Sequence, residues 1–249
     1  MIVTIITVVK NDIDNIEKTI NSVLCQNCKN IEYIVIDGNS TDGTWELIKK
    51  NKKKISQIYS GEDKNLYFAI NKGIDISNGD VIGLLHSGDV YANINAIKDS
   101  IELMKKKELD FVISNLKIVE NNKVYRHVTT SKFFKPYMLS FGIQPPHPTL
   151  FIKSKVIKKL KNYSTKYKVV GDFDLFCKIF KNKELKWDYL NRTTVFQTRG
   201  GLSDGKFLSK LHMARDMGKI LKNHNFISFK VFFIVKLLLR IKERIQKNF

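Results

Sequence analysis

The chain opens on Ile2–Val9, a continuous apolar and largely β-branched run, the pattern of a strand covered on both faces. Asp12–Gln26 follows, with Ile13, Ile16, Ile20, Val23 and Leu24 forming a helical stripe that can cover one of those faces. The alternation then repeats. Ile31–Ile36 reads as a second buried strand, ending in the turn-rich Asp37–Thr44 before a helix that runs to about Lys53. Ile55–Tyr59 is a short third strand, Leu66–Ile76 a helix, and Val81–Leu85 a fourth strand introduced by the turn Asn78-Gly79-Asp80. Strand and helix taking turns at this spacing predict βαβ units: an α/β fold with a mostly parallel, Rossmann-like sheet and helices on both faces.

Beyond Asp89 the texture changes. Ile94–Lys107 predicts a helix, followed by strands at Asp110–Ser114, Leu116–Glu120 and Lys123–His127. Ser131–Pro148, which holds all four prolines, reads as irregular, and Thr149–Ile152 as strand. Helices are predicted at Ser154–Leu160, Asp172–Phe180 and Lys206–Lys222, with strands near Lys186–Leu190 and Thr194–Thr198 and a flexible Gly200-Gly201 loop. The division expected is one domain over 1–225, in two parts at 1–90 and 91–225, and a separate tail over 226–249.

That tail combines Phe229, Phe232, Phe233, Leu237, Leu238, Leu239, Ile241 and Ile245 with six basic residues against the single acid Glu243. A basic amphipathic helix with aromatic residues suits an anionic membrane surface, although a terminal helix packed on its own domain would share the pattern. The apolar opening lacks a basic flank and a small-residue cleavage site and gives way at once to Lys10-Asn11-Asp12, so it is not read as a secretion signal. With no uninterrupted apolar stretch of about 18 residues to span a bilayer, a cytoplasmic protein, peripheral at the inner face of the cell membrane, is expected. A net charge of +19 calls for an acidic partner, but most of the lysine is scattered, as on solvated faces. Three cysteines, including the pair in Cys25-Gln26-Asn27-Cys28, are too few for a disulfide or zinc framework.

Ligands of open parallel sheets bind at the carboxyl ends of the strands, and an aspartate stands near three such ends: Asp37, Asp63 and Asp89. Each alone is an ordinary cap or turn residue. Three in succession point to a divalent cation bridging a diphosphate, since carboxylates gathered in a cleft repel one another and hard cations take oxygen ligands. Later, Gly171-Asp172-Phe173-Asp174 sets two carboxylates at a helix start, where they fit either a general base or plain N-terminal capping. Nucleic-acid binding would account for the charge but not for the strand-end carboxylates, so no nucleic-acid partner is expected. The first turn, Val9-Lys10-Asn11-Asp12, lacks the glycines of a dinucleotide site.

The phrases Thr4–Asn11, Ser22–Gln26 and Ile31–Thr44 (IEYIVIDGNSTDGT) resemble the opening of the family 2 glycosyltransferases. The similarity continues through Gly61–Gly73 and Asn78–Asp89 and returns at His147–Phe151, Asp172–Leu175 and Gly200–Ser203, most like the bacterial branch that builds capsule, exopolysaccharide or O-antigen. The resemblance implies a GT-A fold and inverting transfer of a sugar from a nucleotide-diphosphate sugar, most often a UDP-sugar, to a lipid-linked or oligosaccharide acceptor, with Mg²⁺ or Mn²⁺. Carried across, it implies that Asp37 and Thr7 form the base pocket, that Asp63, Asn71 and Ser87 line the donor site, and that Asp89 binds the metal. Asp172 would deprotonate the acceptor hydroxyl, His147 would approach metal or acceptor, and Arg199 would close over the diphosphate. Two positions depart from the family pattern. Ser87-Gly88-Asp89 replaces the usual paired acids, and Lys10 stands where an aromatic residue often precedes the asparagine. A catalytically inactive scaffold is the alternative that Gly88 raises.

Overall fold

A computed structural model describes residues 1–120, 123–129, 134–199 and 207–226, with 207–211 described as backbone alone. Residues 227–249 of the predicted tail and the Gly200-Gly201 loop lie outside the described residues.

The first half follows the expected alternation. β1 (Val3–Val9) pairs in parallel with β2 (Ile31–Asp37) on one side and β4 (Val81–Leu84) on the other, and β2 with β3 (Gln57–Ser60). Between them run α1 (Ile13–Leu24), α2 (Thr44–Lys50) and α3 (Leu66–Asp75). Because side chains alternate along a strand, β1 and β2 feed two cores. Ile6, Val8, Ile34 and Ile36 face α3 and the later helices, while Val3, Ile5, Tyr33 and Val35 face α1 and α2. The α1 stripe buries Ile16, Ile20 and Val23 completely or nearly so, each burial favouring the fold by about 2 kcal/mol.

The parallel order stops at β4. The two-residue β5 (Val90–Tyr91), which no periodicity announces, leads into α4 (Ala96–Lys106). β6 (Phe111–Glu120) and β7 (Lys123–Val128) form an antiparallel pair, and β8 (Phe151–Lys153) lies antiparallel between β4 and β6. α5 (Ser154–Lys159) and α6 (Gly171–Lys181) precede β9 (Trp187–Thr198), and α7 (Phe207–Asn223) closes the described chain. The sheet runs β3-β2-β1-β4-β8-β6-β9-β5, with β7 on β6.

Two expected breaks are absent. Asp110–Ser114 and Leu116–Glu120 are one strand, as are the two segments predicted between 186 and 198. β6 and β9 run in parallel but change register around Asn115: Ser114 faces Leu190, whereas Asn115 faces Thr193. The polar residues that look like strand ends occupy this bulge. Ser131–Pro148 contains two short 3-10 turns among its described residues, Pro136–Phe141 and His147–Thr149.

Candidate active site

The carboxyl ends of β1 to β4 lie side by side, so the segments leaving them share one edge of the sheet. Asp37, the last residue of β2, is fully buried. It accepts hydrogen bonds from the Ser40 amide (3.1 Å), the Ser40 hydroxyl (2.5 Å) and the Ser60 hydroxyl (2.6 Å), which replace lost hydration and fix the β2 exit against that of β3. Thr7 has no exposed surface. Its hydroxyl donates to the Leu85 carbonyl at 2.7 Å and lies 3.0 Å from the Tyr33 hydroxyl, so it acts from beneath the edge, holding β1 to the chain leaving β4. Asp63 is half-buried in the loop before α3. Asn71 exchanges two bonds with the Tyr163 backbone (2.8 and 3.0 Å) and ties α3 to the loop ahead of α6.

Beyond β4 the turn His86–Asp89 closes through a bond from the Asp89 amide to the His86 carbonyl, with Gly88 at φ +90°, a left-handed conformation that favours glycine. Asp89 is 4% exposed, and Gln197 of β9 approaches its carboxylate at 3.4 Å. Burial pushes its pKa up to about 8, against the lowering effect of Gln197. Ser87 donates to Asp12 at 2.6 Å, which brings a second carboxylate to the turn where the sequence lacks one. Among the described residues no three His, Cys, Asp or Glu side chains converge to enclose a cation. Mg²⁺ and Mn²⁺ sites can be built from one or two carboxylates completed by substrate phosphate oxygens. One deeply buried carboxylate, met by the Gln197 side chain and the Thr198 backbone, fits such a shared site.

The other wall comes from the second half. Asp172, in the first turn of α6, is largely buried and accepts from Gln144 Nε2 at 2.8 Å. Burial raises its pKa above the ordinary carboxylate value, and the Gln144 bond only partly opposes this. Gly171 lies flat against Tyr67, whose hydroxyl donates to the Val169 carbonyl (2.6 Å) and whose ring stacks on Tyr163 (5.8 Å). The Tyr163 hydroxyl meets His147 Nε2 at 2.7 Å, and His147 stacks on His86 (6.0 Å). Burial lowers both imidazoles, His86 to about 3 with His147 contributing, and His147 to about 4, so both are neutral at neutral pH. Asp172 pulls the His86 pKa in the opposite direction, so the two groups lie within electrostatic reach. The turn that carries Asp89 therefore also reaches the Asp172 cluster through His86.

Asp174 has a different setting. His224 Nε2 lies 2.9 Å from one of its oxygens and Lys178 Nζ 3.0 Å from the other, tying α6 to the end of α7. Burial pushes its pKa up, but these two partners outweigh that and leave it below the usual range. Arg199 pairs with Glu120 (2.8 Å) and lies over the Tyr125 ring (4.2 Å) at the β6–β7 end of the sheet. His86, Gln144, Tyr163 and Gln197 escaped the sequence reading. His86 at least sits inside the phrase Asn78–Asp89 and Gln144 inside the irregular Ser131–Pro148, whereas Gln197 is brought in only by the β5–β9 pairing.

The sequence and the fold both match known proteins. Glycosyl transferase family 2 matches residues 4–183. The chain is 27% identical over 245 residues to the Escherichia coli UDP-Glc:alpha-D-GlcNAc-diphosphoundecaprenol beta-1,3-glucosyltransferase WfaP, covering 96% of this chain and 95% of that protein. It is 23% identical over 208 residues to a PGL/p-HBAD biosynthesis glycosyltransferase of Mycobacterium bovis, covering 80% and 79%. Among solved structures, S. aureus TarS 1–349 in complex with UDP-GlcNAc superposes with a TM-score of 0.72 at 19% identity, over 90% of this chain and 65% of that one. The mannosyltransferase PcManGT of Pyrobaculum calidifontis, in complex with GDP-Man and Mn²⁺, superposes with a TM-score of 0.66 at 12% identity, over 94% and 68%. With a family match across most of its length and the corresponding fold beneath it, the chain belongs to glycosyl transferase family 2 and is a glycosyltransferase of the GT-A fold.

Proposed function

We propose that the chain transfers a sugar, with inversion, from a UDP-sugar to a lipid-linked or oligosaccharide acceptor in surface-polysaccharide assembly. The observation that carries this reading is the pairing of two differently placed carboxylates, Asp89 and Asp172, linked by the His86 turn. Asp172, its pKa raised and its donors the uncharged Gln144 side chain and backbone amides, suits a base that takes the acceptor's proton as the hydroxyl attacks. A new glycosidic bond forms at the anomeric carbon, the bond to the diphosphate breaks with its electron pair, and the nucleoside diphosphate departs. Asp89 would hold Mg²⁺ or Mn²⁺, and the bound ion would supply positive charge against the leaving diphosphate. Asp37, Asp63 and Ser87 bind the donor in this reading, with Thr7 and Asn71 holding the segments around it and Arg199 closing nearby. His147 keeps the acceptor side in place through Tyr163.

The relatives support the substrate classes. The E. coli protein is named for UDP-Glc and a diphosphoundecaprenol-linked sugar, the TarS structure contains UDP-GlcNAc, and the Pyrobaculum structure contains Mn²⁺. Residues 227–249 are proposed to bind an anionic membrane surface, where a lipid-linked acceptor would be found; among the described residues no helix is long and apolar enough to cross a membrane. The test is a thermal-shift screen of nucleotide sugars with Mn²⁺ and with chelator, on wild type and Asp172→Asn. Both proteins should be stabilised by a UDP-sugar, and only wild type should transfer. Equal transfer by the two would remove Asp172 as the base.

A further inference from the structure

A groove of about 810 Å³ that the transfer step does not use lies between Phe134–Pro136 and the first residues of β9, which pack on Phe180 near the far end of α6 from Asp172. Trp187 forms a fixed aromatic surface there. Its ring stacks on Phe111 at 5.8 Å and meets the edges of Phe180 at 5.1 Å and Phe134 at 6.2 Å, yet it remains partly exposed. Tyr189, two residues on and hence on the same strand face, brings its hydroxyl to the side-chain oxygens of Asn115 and Asn191 (3.2 Å to the latter). The Asn115 amide also approaches the Asn191 oxygen at 3.5 Å. These contacts use the carbonyl end of Asn191 and leave its NH₂ group to donate. The register change in the β6–β9 ladder is what puts Asn191 there, since it lies in the bulge between Leu190 and Thr193.

The chemistry of the lining is specific in kind. Side-chain amides both donate and accept, matching hydroxyl groups that do the same. The aromatic rings offer an apolar surface to one face of a ligand. The Asp188 carboxylate is already paired with Lys107, and among the described lining residues the other charge is Lys135. An uncharged polyhydroxyl ring with one apolar face meets these demands, and the volume is that of a small-molecule site. A chain of contacts links the groove to the active site. Ser114, next to Asn115, receives and returns hydrogen bonds with the Thr149 hydroxyl (both 3.1 Å), and Thr149 is two residues from His147.

We propose that this groove binds a neutral pyranose unit of the acceptor glycan, away from the hydroxyl that is glycosylated; the assignment rests on the glycosyltransferase reading above. The chain has two tryptophans, so Trp45→Phe leaves Trp187 as the sole indole. Its emission is followed while cellobiose, lactose and chitobiose are added, with saturation-transfer NMR reporting on the sugar protons. At least one disaccharide should give a saturable response that becomes about fivefold weaker in Asn191→Ala, the loss of roughly one hydrogen bond. Stabilisation by UDP-sugar should be the same in both proteins. Protein that is stabilised by a UDP-sugar but responds to none of the three saccharides overturns the groove assignment alone, and so does a response that Asn191→Ala leaves unchanged. Saccharide binding without stabilisation by any nucleotide sugar would keep the groove and reject the donor reading.

Discussion

Replacing Gly171 by alanine should damage both stability and transfer, by an amount the geometry sets. An ideal Cβ at Gly171 falls 2.7 Å from Tyr67 Cζ and 2.8 Å from both Cε atoms, well inside the 3.4–4 Å of ordinary contact. The ring cannot easily withdraw, because it is 2% exposed, stacked on Tyr163 and anchored to Val169 through its hydroxyl. Overpacking of this kind costs about 1–3 kcal/mol. Alanine recovers at most about 1 kcal/mol of helix propensity, and less in a first turn. If Tyr67 gives way, loss of the Val169 bond adds about 1 kcal/mol. The net expectation is about 1–3 kcal/mol, a fall in Tm of roughly 3–10 °C for a chain of this size. The α6 start carries Asp172, so transfer should fall about tenfold to a hundredfold with the displaced base, while stabilisation by UDP-sugar persists. Thermal unfolding followed by circular dichroism, with a transfer assay on the same samples, measures both. An alanine protein that melts at or above wild type would show that the Tyr67 contact does not confine α6, and the argument would fail.

Asp89→Ala should abolish the Mn²⁺-dependent part of the UDP-sugar thermal shift; an unchanged shift would place the ion elsewhere. Asp174→Ala should cost about 2–3 kcal/mol at neutral pH, through loss of its His224 and Lys178 partners. Because the folded pKa of Asp174 is depressed, its contribution is present above the ordinary carboxylate range and is lost as pH falls through the folded value. Urea titrations at neutral pH and below about pH 4 should therefore show wild type and variant converging in acid; a constant gap would count against the ion pairs. Removing residues 227–249 should release the protein from vesicles containing anionic lipid, and vesicle sedimentation that is unchanged would exclude the tail as an anchor.

The first half was legible because its signals are local. β1, β2 and β4 are largely buried and show this in runs that are mostly apolar and β-branched, and the strand-end aspartates follow within a few residues. The second half depends on pairing. β6 and β9 looked broken because the polar residues near Asn115 and Asn191 belong to a bulge that exists only when the two strands meet. The different settings of Asp172 and Asp174 could not be read from their spacing. They come from Gln144 on one side and His224 on the other, residues 28 and 50 positions away. Likewise Thr7 and Asn71 are polar residues of the right phrase whose hydrogen bonds face inward, and a linear motif does not record direction.

The margins of the sheet have a consequence for behaviour in a crowded solution. An open sheet presents unpaired backbone groups at its borders, which invite other chains to add strands. Here β3 at one border is four residues long and follows the Lys52–Lys54 turn, and β5 at the other has only two. β7, which hangs on β6, carries Lys123, Arg126 and His127 on a largely exposed strand. Short length and positive charge thus fall where aggregation would nucleate. Positive charge at these borders opposes strand addition by other copies, so neutralising Lys52–Lys54 or Lys123 and Arg126 should lower solubility before it touches catalysis.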